Sequence, residues 1–255
     1  MSLKHGSLFS GIGGFDLAAE WIGWENIFQC EIDGFCNKVL EKNFPNTKKY
    51  KDIKQFNGYE YRNKLDVLTG GFPCQPFSTA GKQKGTKDNR SLWGEMFRII
   101  KESRPTYIVG ENVNGIVKME LDNIWADLES EGYTVETFNL PACAVSAAHI
   151  RKRIWITAYL DGRGRDTQSR IRTKPQKRNS SNDVNSSNAT FRRKKTWMAE
   201  PKVERVVYGI PRGMDKNRVK ALGNAIVPQI AYEIFNAIQM AAIADKERGQ
   251  NKIWD

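Results

Sequence analysis

Over its first 160 residues the chain alternates short apolar runs with amphipathic stretches, and this alternation constrains the fold more than any other feature. Runs expected to be strands lie at 7–9, 27–32, 66–68, 107–110, 134–140 and 154–160. Between them, 35–44, 92–103 and 121–131 carry apolar residues at helical spacing, and Phe35, Val39, Leu40 and Phe44 form one such stripe. Strands alternating with helices imply βαβ units and a mostly parallel sheet. In such sheets, sites gather at the carboxyl ends of the strands. The expectation is therefore an α/β, doubly wound fold, and 255 residues suit one large domain with an insertion.

Composition excludes several classes. A hydrophobic share of 40% with 12 Phe, 8 Tyr and 7 Trp builds a real core, so global disorder is out. No apolar run approaches the roughly 20 residues of a membrane span. The N-terminal MSLKHGSLFSG lacks a signal peptide's apolar stretch, so a soluble, cytoplasmic protein without a membrane partner is expected. The four cysteines (Cys30, Cys36, Cys74, Cys143) include no C-x-x-C pair, which argues against a disulfide framework. His5 and His149 lack ligand spacing, so no metal site is expected.

The net charge of +11 is concentrated. Residues 161–200 hold 11 Lys+Arg against 4 Asp+Glu, only seven are apolar, and 179–188 reads NSSNDVNSSN. Such a segment buries too little surface to fold compactly alone, and reads as a linker, loop or arm. After Trp197 the apolar pattern recovers, and 229–245 reads as a terminal helix.

Five segments could carry chemistry. Phe9-Ser10-Gly11-Ile12-Gly13-Gly14-Phe15 leaves a strand and enters a helix, and glycines there let a ligand approach the backbone. Glu31 follows Gly11 by twenty residues, where a carboxylate can accept both hydroxyls of a ribose. Asp52 and Ile53, past a third strand, offer a polar acceptor and an apolar wall for an adenine. The spacing G-x-G-G does not imply a pyrophosphate; an ordinary glycine turn is the bland alternative. Gly70-Gly71-Phe72-Pro73-Cys74-Gln75-Pro76-Phe77-Ser78 is a stiff, non-helical loop after a strand, with two prolines bracketing a cysteine. Cys74 is thus the nucleophile candidate, while Cys30, Cys36 and Cys143 sit in apolar contexts and read as core. Glu111 in Gly110-Glu111-Asn112-Val113 is a strand-end carboxylate beside an apolar wall, able to share a proton with a substrate. Arg151 and Arg153, in His149-Ile150-Arg151-Lys152-Arg153, share one side of a strand and could hold a phosphate or carboxylate. Gly223-Asn224-Ala225-Ile226-Val227-Pro228 is, by itself, a turn and a helix start.

In this order the five segments resemble the C5-cytosine-specific DNA methyltransferase family, across Leu8 to about Ile234 with 161–200 unmatched. The compact layout is most similar to short phage and prophage members. The resemblance implies a doubly wound, mostly parallel S-adenosylmethionine-dependent methyltransferase sheet with a small, reduced target-recognition region. It divides the chain into a catalytic domain at 1–160, a basic Ser/Asn-rich insertion at 161–204 and a returning segment at 205–255. The implied activity is methyl transfer from S-adenosylmethionine to C5 of a flipped cytosine, with Cys74 adding at C6. Glu111 would hold N3 and the exocyclic amine; Arg151 and Arg153 would orient the loop and the base. Phe9, Gly11, Gly13, Gly14, Glu31, Ile32, Asp52, Ile53, Pro73, Leu92, Asn224 and Ala225 would line the cofactor site. Gln75, Ser78, Arg163, Arg165, Arg192, Arg193, Lys194 and Lys195 would contact double-stranded DNA. The resemblance also implies a monomer and allows a cognate restriction endonuclease.

Two departures stand out: His149 occupies the family's usual glutamine position with Ala148 where proline is common, and the target-recognition region is short. Two rival readings remain to be set against this resemblance. The tRNA-modifying branch typically carries a Cys-Phe-Thr signature, which this sequence lacks. A catalytically silent binding protein would show a lesion at Cys74, Glu111 or the glycines, and all are intact.

Overall fold

The computed structural model describes residues 2–73, 92–147, 149–160 and 212–251. Seven strands form one sheet: β1 (Lys4–Leu8), β2 (Glu25–Cys30), β3 (Lys48–Tyr50), β4 (Val67–Gly70), β5 (Tyr107–Asn112), β6 (Tyr133–Pro141) and β7 (Lys152–Leu160). Their order is β3-β2-β1-β4-β5-β7-β6. Pairings from β3 through β5 are parallel, while β7 runs antiparallel to both β5 and β6. From β1 the chain winds outward to β2 and β3 on one side, and from β4 to β5 on the other. The reversal between β1 and β4 opens a crevice at their carboxyl ends, where ligands of doubly wound sheets sit.

The helices are α1 (Gly14–Trp21), α2 (Gly34–Asn43), α3 (Trp93–Ser103), α4 (Ile116–Met119), α5 (Leu121–Ser130), α6 (Arg212–Asn224) and α7 (Pro228–Asn251). Strand side chains alternate between two cores, as a period of two requires. In β5, Ile108 joins the cluster that α3 and α5 complete with Met96, Ile100 and Leu128. Tyr107 and Val109 join the other, completed by Phe15 of α1 and Phe235 of α7. Phe235 stacks on Trp24 with ring centroids 4.6 Å apart, and Trp24 Nε1 donates to Gln239 Oε1 at 2.6 Å. The C-terminal helix is therefore built into the sheet's own core.

Between α1 and β1 lies a buried polar network. The Ser7 hydroxyl contacts both oxygens of Asp16, at 3.0 and 3.1 Å, and burial pushes the Asp16 carboxyl up to about 6. His5 bridges Asn26 Oδ1 and Thr69 Oγ1 at 2.6 and 2.9 Å, and burial lowers its pKa to about 4, leaving a neutral ring at pH 7. His5 thus ties β1 to β2 and β4, while Ser7 and Asp16 tie it to α1.

The third strand expected ahead of Asp52 is KKY at 48–50, a three-residue edge strand with no apolar period, held by pairing to β2. Two expectations need correction. Cys143 is exposed rather than core, because the turn Ala142–Val145 follows the end of β6. Finally, the stretch Lys220–Glu247 is apolar enough by length and composition to cross a membrane, with a mean hydropathy of 1.2. Its Ile230, Ala231, Phe235 and Ala242 are nonetheless packed in the sheet's core, as in a core helix of a globular fold.

Candidate active site

The turn after β1 is built for close approach. Phe9, Gly11 and Gly13 have φ of 52°, 55° and 88°, a left-handed conformation that glycine adopts without strain. A Cβ on Gly11 would meet nothing within 4 Å, so its face is open. Ser10 ties the turn to the end of β2 through Ser10 N to Cys30 O at 3.1 Å. Glu31, just past β2, accepts Gly11 N on Oε2 at 2.7 Å and Asp33 N on Oε1 at 2.8 Å. Each oxygen keeps acceptor capacity, so the carboxylate is aimed without being saturated. Asp33 in turn caps α2, accepting Phe35 N and Cys36 N at 2.9 and 3.1 Å. The thiols of Cys30 and Cys36 border the same space, and burial pushes both up to about 12, leaving them protonated.

Across the crevice, β4 and β5 place the second group. Asn112 Nδ2 donates to Phe72 O at 2.9 Å, fixing the path of the chain as it leaves β4 toward Cys74. Glu111 stands opposite Trp155 of β7 and is 8% exposed. Its Oε1 forms an ion pair with Arg153 Nε at 3.1 Å, and a Cβ on Gly71 would lie 3.6 Å from Oε2. Burial raises the Glu111 carboxyl to about 7, against the opposing pull of the Arg153 and Arg151 cations. Near neutrality this group therefore holds or releases a proton at little cost, as a general acid-base requires.

The returning C-terminal segment closes the site. Arg151 Nη2 donates to Gly223 O at 3.0 Å and Ala225 O at 2.8 Å. Ile226 fills the space beside Gly14, where a Cβ would lie 2.6 Å from Ile226 Cγ1. Lys220 Nζ meets Asp33 Oδ2 at 3.0 Å. Gly13 is likewise a packing position, facing Phe44 and Leu40.

One cavity of about 770 Å³ runs through these groups. Phe9, Gly11, Glu31, Ile32, Asp52 and Ile53 line one part of it, and Glu111, Arg151 and Arg153 another. Pro73, Leu92 and Asn224 also border it. Gly13, Gly14 and Ala225 are not among its lining residues. Cys74, Gln75, Ser78, Arg163, Arg165, Arg192, Arg193, Lys194 and Lys195 lie outside the described residues. Sequence reasoning missed Asn217 and Lys220, which reach the cavity from α6, because a helix packed from so far along the chain leaves no local signal. The anchoring role of Asn112 was missed as well; its place beside Glu111 at a strand end was the available hint. Among the described residues, no group of three His, Cys, Asp or Glu is placed to hold a metal ion.

A family model for C-5 cytosine-specific DNA methylase matches residues 3–209. The type II methyltransferase M.Eco47II of Escherichia coli is 38% identical over 161 residues, covering 59% of this chain and 38% of that protein. M.PspPI of Psychrobacter is 40% identical over 134 residues, covering 50% and 32% respectively. The chain thus spans under two fifths of the length of these curated relatives. Among solved structures, a mutant of DNMT2 from Spodoptera frugiperda superposes with a TM-score of 0.55 at 27% identity, covering 71% of this chain and 54% of that one.

Proposed function

Because the chain belongs to the C-5 cytosine-specific DNA methylase family, we propose that it methylates C5 of a cytosine extruded from double-stranded DNA, using S-adenosylmethionine. The observation that carries this reading is the buried Glu111–Arg153 pair facing the same cavity as Glu31, Asp52 and Ile53. The cavity fits the cofactor: Gly11 presents open backbone, Glu31 keeps lone pairs for ribose hydroxyls, and Asp52 with Ile53 flanks an adenine position. Bound there, S-adenosylmethionine supplies the methyl group that C5 receives.

The chain's own residues handle the pyrimidine. C5 of cytosine is a poor nucleophile until something adds at C6. The Cys74 thiolate forms the sulfur–C6 bond, pushing electron density toward C5 and N3. Protonated Glu111 donates to N3 and, through its other oxygen, receives the exocyclic amine. Arg153 holds that carboxyl in place and stabilises it when the proton leaves. Once C5 carries the methyl, loss of its proton to water restores the C5–C6 double bond and expels Cys74 as thiolate, while N3 returns its proton to Glu111. Extrusion of the base costs a few kcal/mol and is required because C6 is shielded in the duplex. The basic residues between 161 and 200 and the Gln75 and Ser78 side chains are assigned to DNA contact.

A trapping experiment tests the covalent step. Fluorine at C5 cannot leave as a proton, so duplex DNA containing 5-fluorocytosine should accumulate a covalent protein–DNA adduct in the presence of cofactor. Peptide mapping should place it on Cys74, and Cys74→Ser should form none. An adduct on another residue, or one that persists in Cys74→Ser, contradicts the assignment.

A further inference from the structure

The two arginines of the R-x-R segment, although two residues apart, point at different partners. Arg153 engages the Glu111 carboxylate. Arg151 gives its Nη2 to two backbone carbonyls of the returning segment, Gly223 and Ala225, more than seventy residues away. Those carbonyls flank Asn224, which borders the cavity, and the next residue, Ile226, occupies the space that Gly14 leaves open. A third tie, Lys220 to Asp33, joins α6 to the residue whose N–H holds Glu31. This last pair is largely exposed, at 64% and 33%, and exposed pairs contribute little. The Arg151 clasp is the stronger element, since a cation giving hydrogen bonds to two carbonyls in a partly buried place is short and charge-assisted.

We propose that Arg151 is a positioning residue that clasps the Gly223–Ala225 backbone against the cofactor turn, while Arg153 makes the direct contact with Glu111. The inference rests on the methyltransferase reading and revises one of its assignments: Arg151 acts through Asn224 and the cofactor turn, not on the base. Removing its side chain frees the two carbonyls, loosens the link between α6 and α7 and lets Asn224 drift from the cavity. A planar guanidinium can bridge two carbonyls with a geometry that the single ammonium of lysine reproduces only in part.

The test compares Arg151→Met, Arg151→Lys and Arg153→Met with wild type, each first checked for a cooperative melt. Hydrogen exchange on the cofactor-free protein reads the clasp directly. Amides across 223–227 should exchange at least tenfold faster in R151M, with partial recovery in R151K, and at the wild-type rate in R153M. Calorimetric titration with S-adenosylhomocysteine should show about tenfold weaker binding for R151M and less than a twofold change for R153M. The pH profile of turnover should separate the pair the other way. R153M should move the limb governed by Glu111 to higher pH, because a cation that favoured the carboxylate is gone, while R151M moves it less. Unchanged exchange in R151M, or equal effects of both variants on every readout, overturns the proposal. Faster exchange in R151M together with no cofactor binding by wild type would uphold the clasp and instead refute the methyltransferase reading. If R151M does not fold, R151K carries the same comparison, and wild-type exchange in R151K with unchanged cofactor affinity overturns the clasp.

Discussion

At the scale of single residues, Glu111 carries the sharpest consequence. Its carboxyl sits near 7 in the fold against an ordinary value of 4.5, so the fold prefers it protonated. The unfolded chain ionises it freely, so stability is fully present below about 4.5 and falls as pH rises toward 7. The decline amounts to about 3 kcal/mol. Urea unfolding at pH 5 and pH 8 should therefore show wild type losing stability that Glu111→Gln retains. A Gln variant losing as much as wild type would place the buried charge elsewhere. The same substitution keeps a hydrogen-bonding amide but removes the transferable proton, so turnover should fall by about 10²–10⁴-fold. Glu31 and Glu111 were legible in the sequence for the same reason: each is an acidic residue directly after an apolar run, where a parallel strand ends. Gly13 and Gly14 were legible only as a turn. Their packing against Phe44, Leu40 and Ile226 depends on elements that no local pattern connects.

At the scale of elements, the sheet was readable because buried parallel strands announce themselves as apolar runs. The short edge strand β3, whose lysines and tyrosine show no such run, was legible only through its place ahead of Asp52, and what escaped was the joining of distant parts. The terminal helix α7 was visible as a helix, yet its partner surface was not. In the fold its Phe235 is fully buried against Trp24 and Phe15, holding the C-terminal segment on the face behind β1. Phe235→Ala should therefore destabilise the protein by about 3–5 kcal/mol, read as a lower denaturant midpoint. A loss below 1 kcal/mol would mean that α7 is not part of the cooperative core. Cys143 illustrates the reverse error: an apolar neighbourhood in sequence, PACAV, became a surface turn because β6 ends at Pro141.

At the scale of the whole molecule, charge and chemistry occupy different parts of the chain. The cavity is framed by residues from both ends, whereas 161–200 holds most of the net positive charge. If that segment contacts phosphates, each contact contributes about 0.9 to the slope of log affinity against log salt. A protein lacking 163–195 should then bind DNA with a slope shallower by several units, and equal slopes would remove the segment from the interface. Methyl transfer to C5 of cytosine in DNA draws on both the cavity and the charged segment. Its most direct measurement supplies labelled S-adenosylmethionine with mixed-sequence duplex DNA or tRNA, followed by bisulfite mapping of the duplex. Label entering the duplex, with protected cytosines in a shared sequence context, is the predicted result. Label entering tRNA while every duplex stays unlabelled would contradict it.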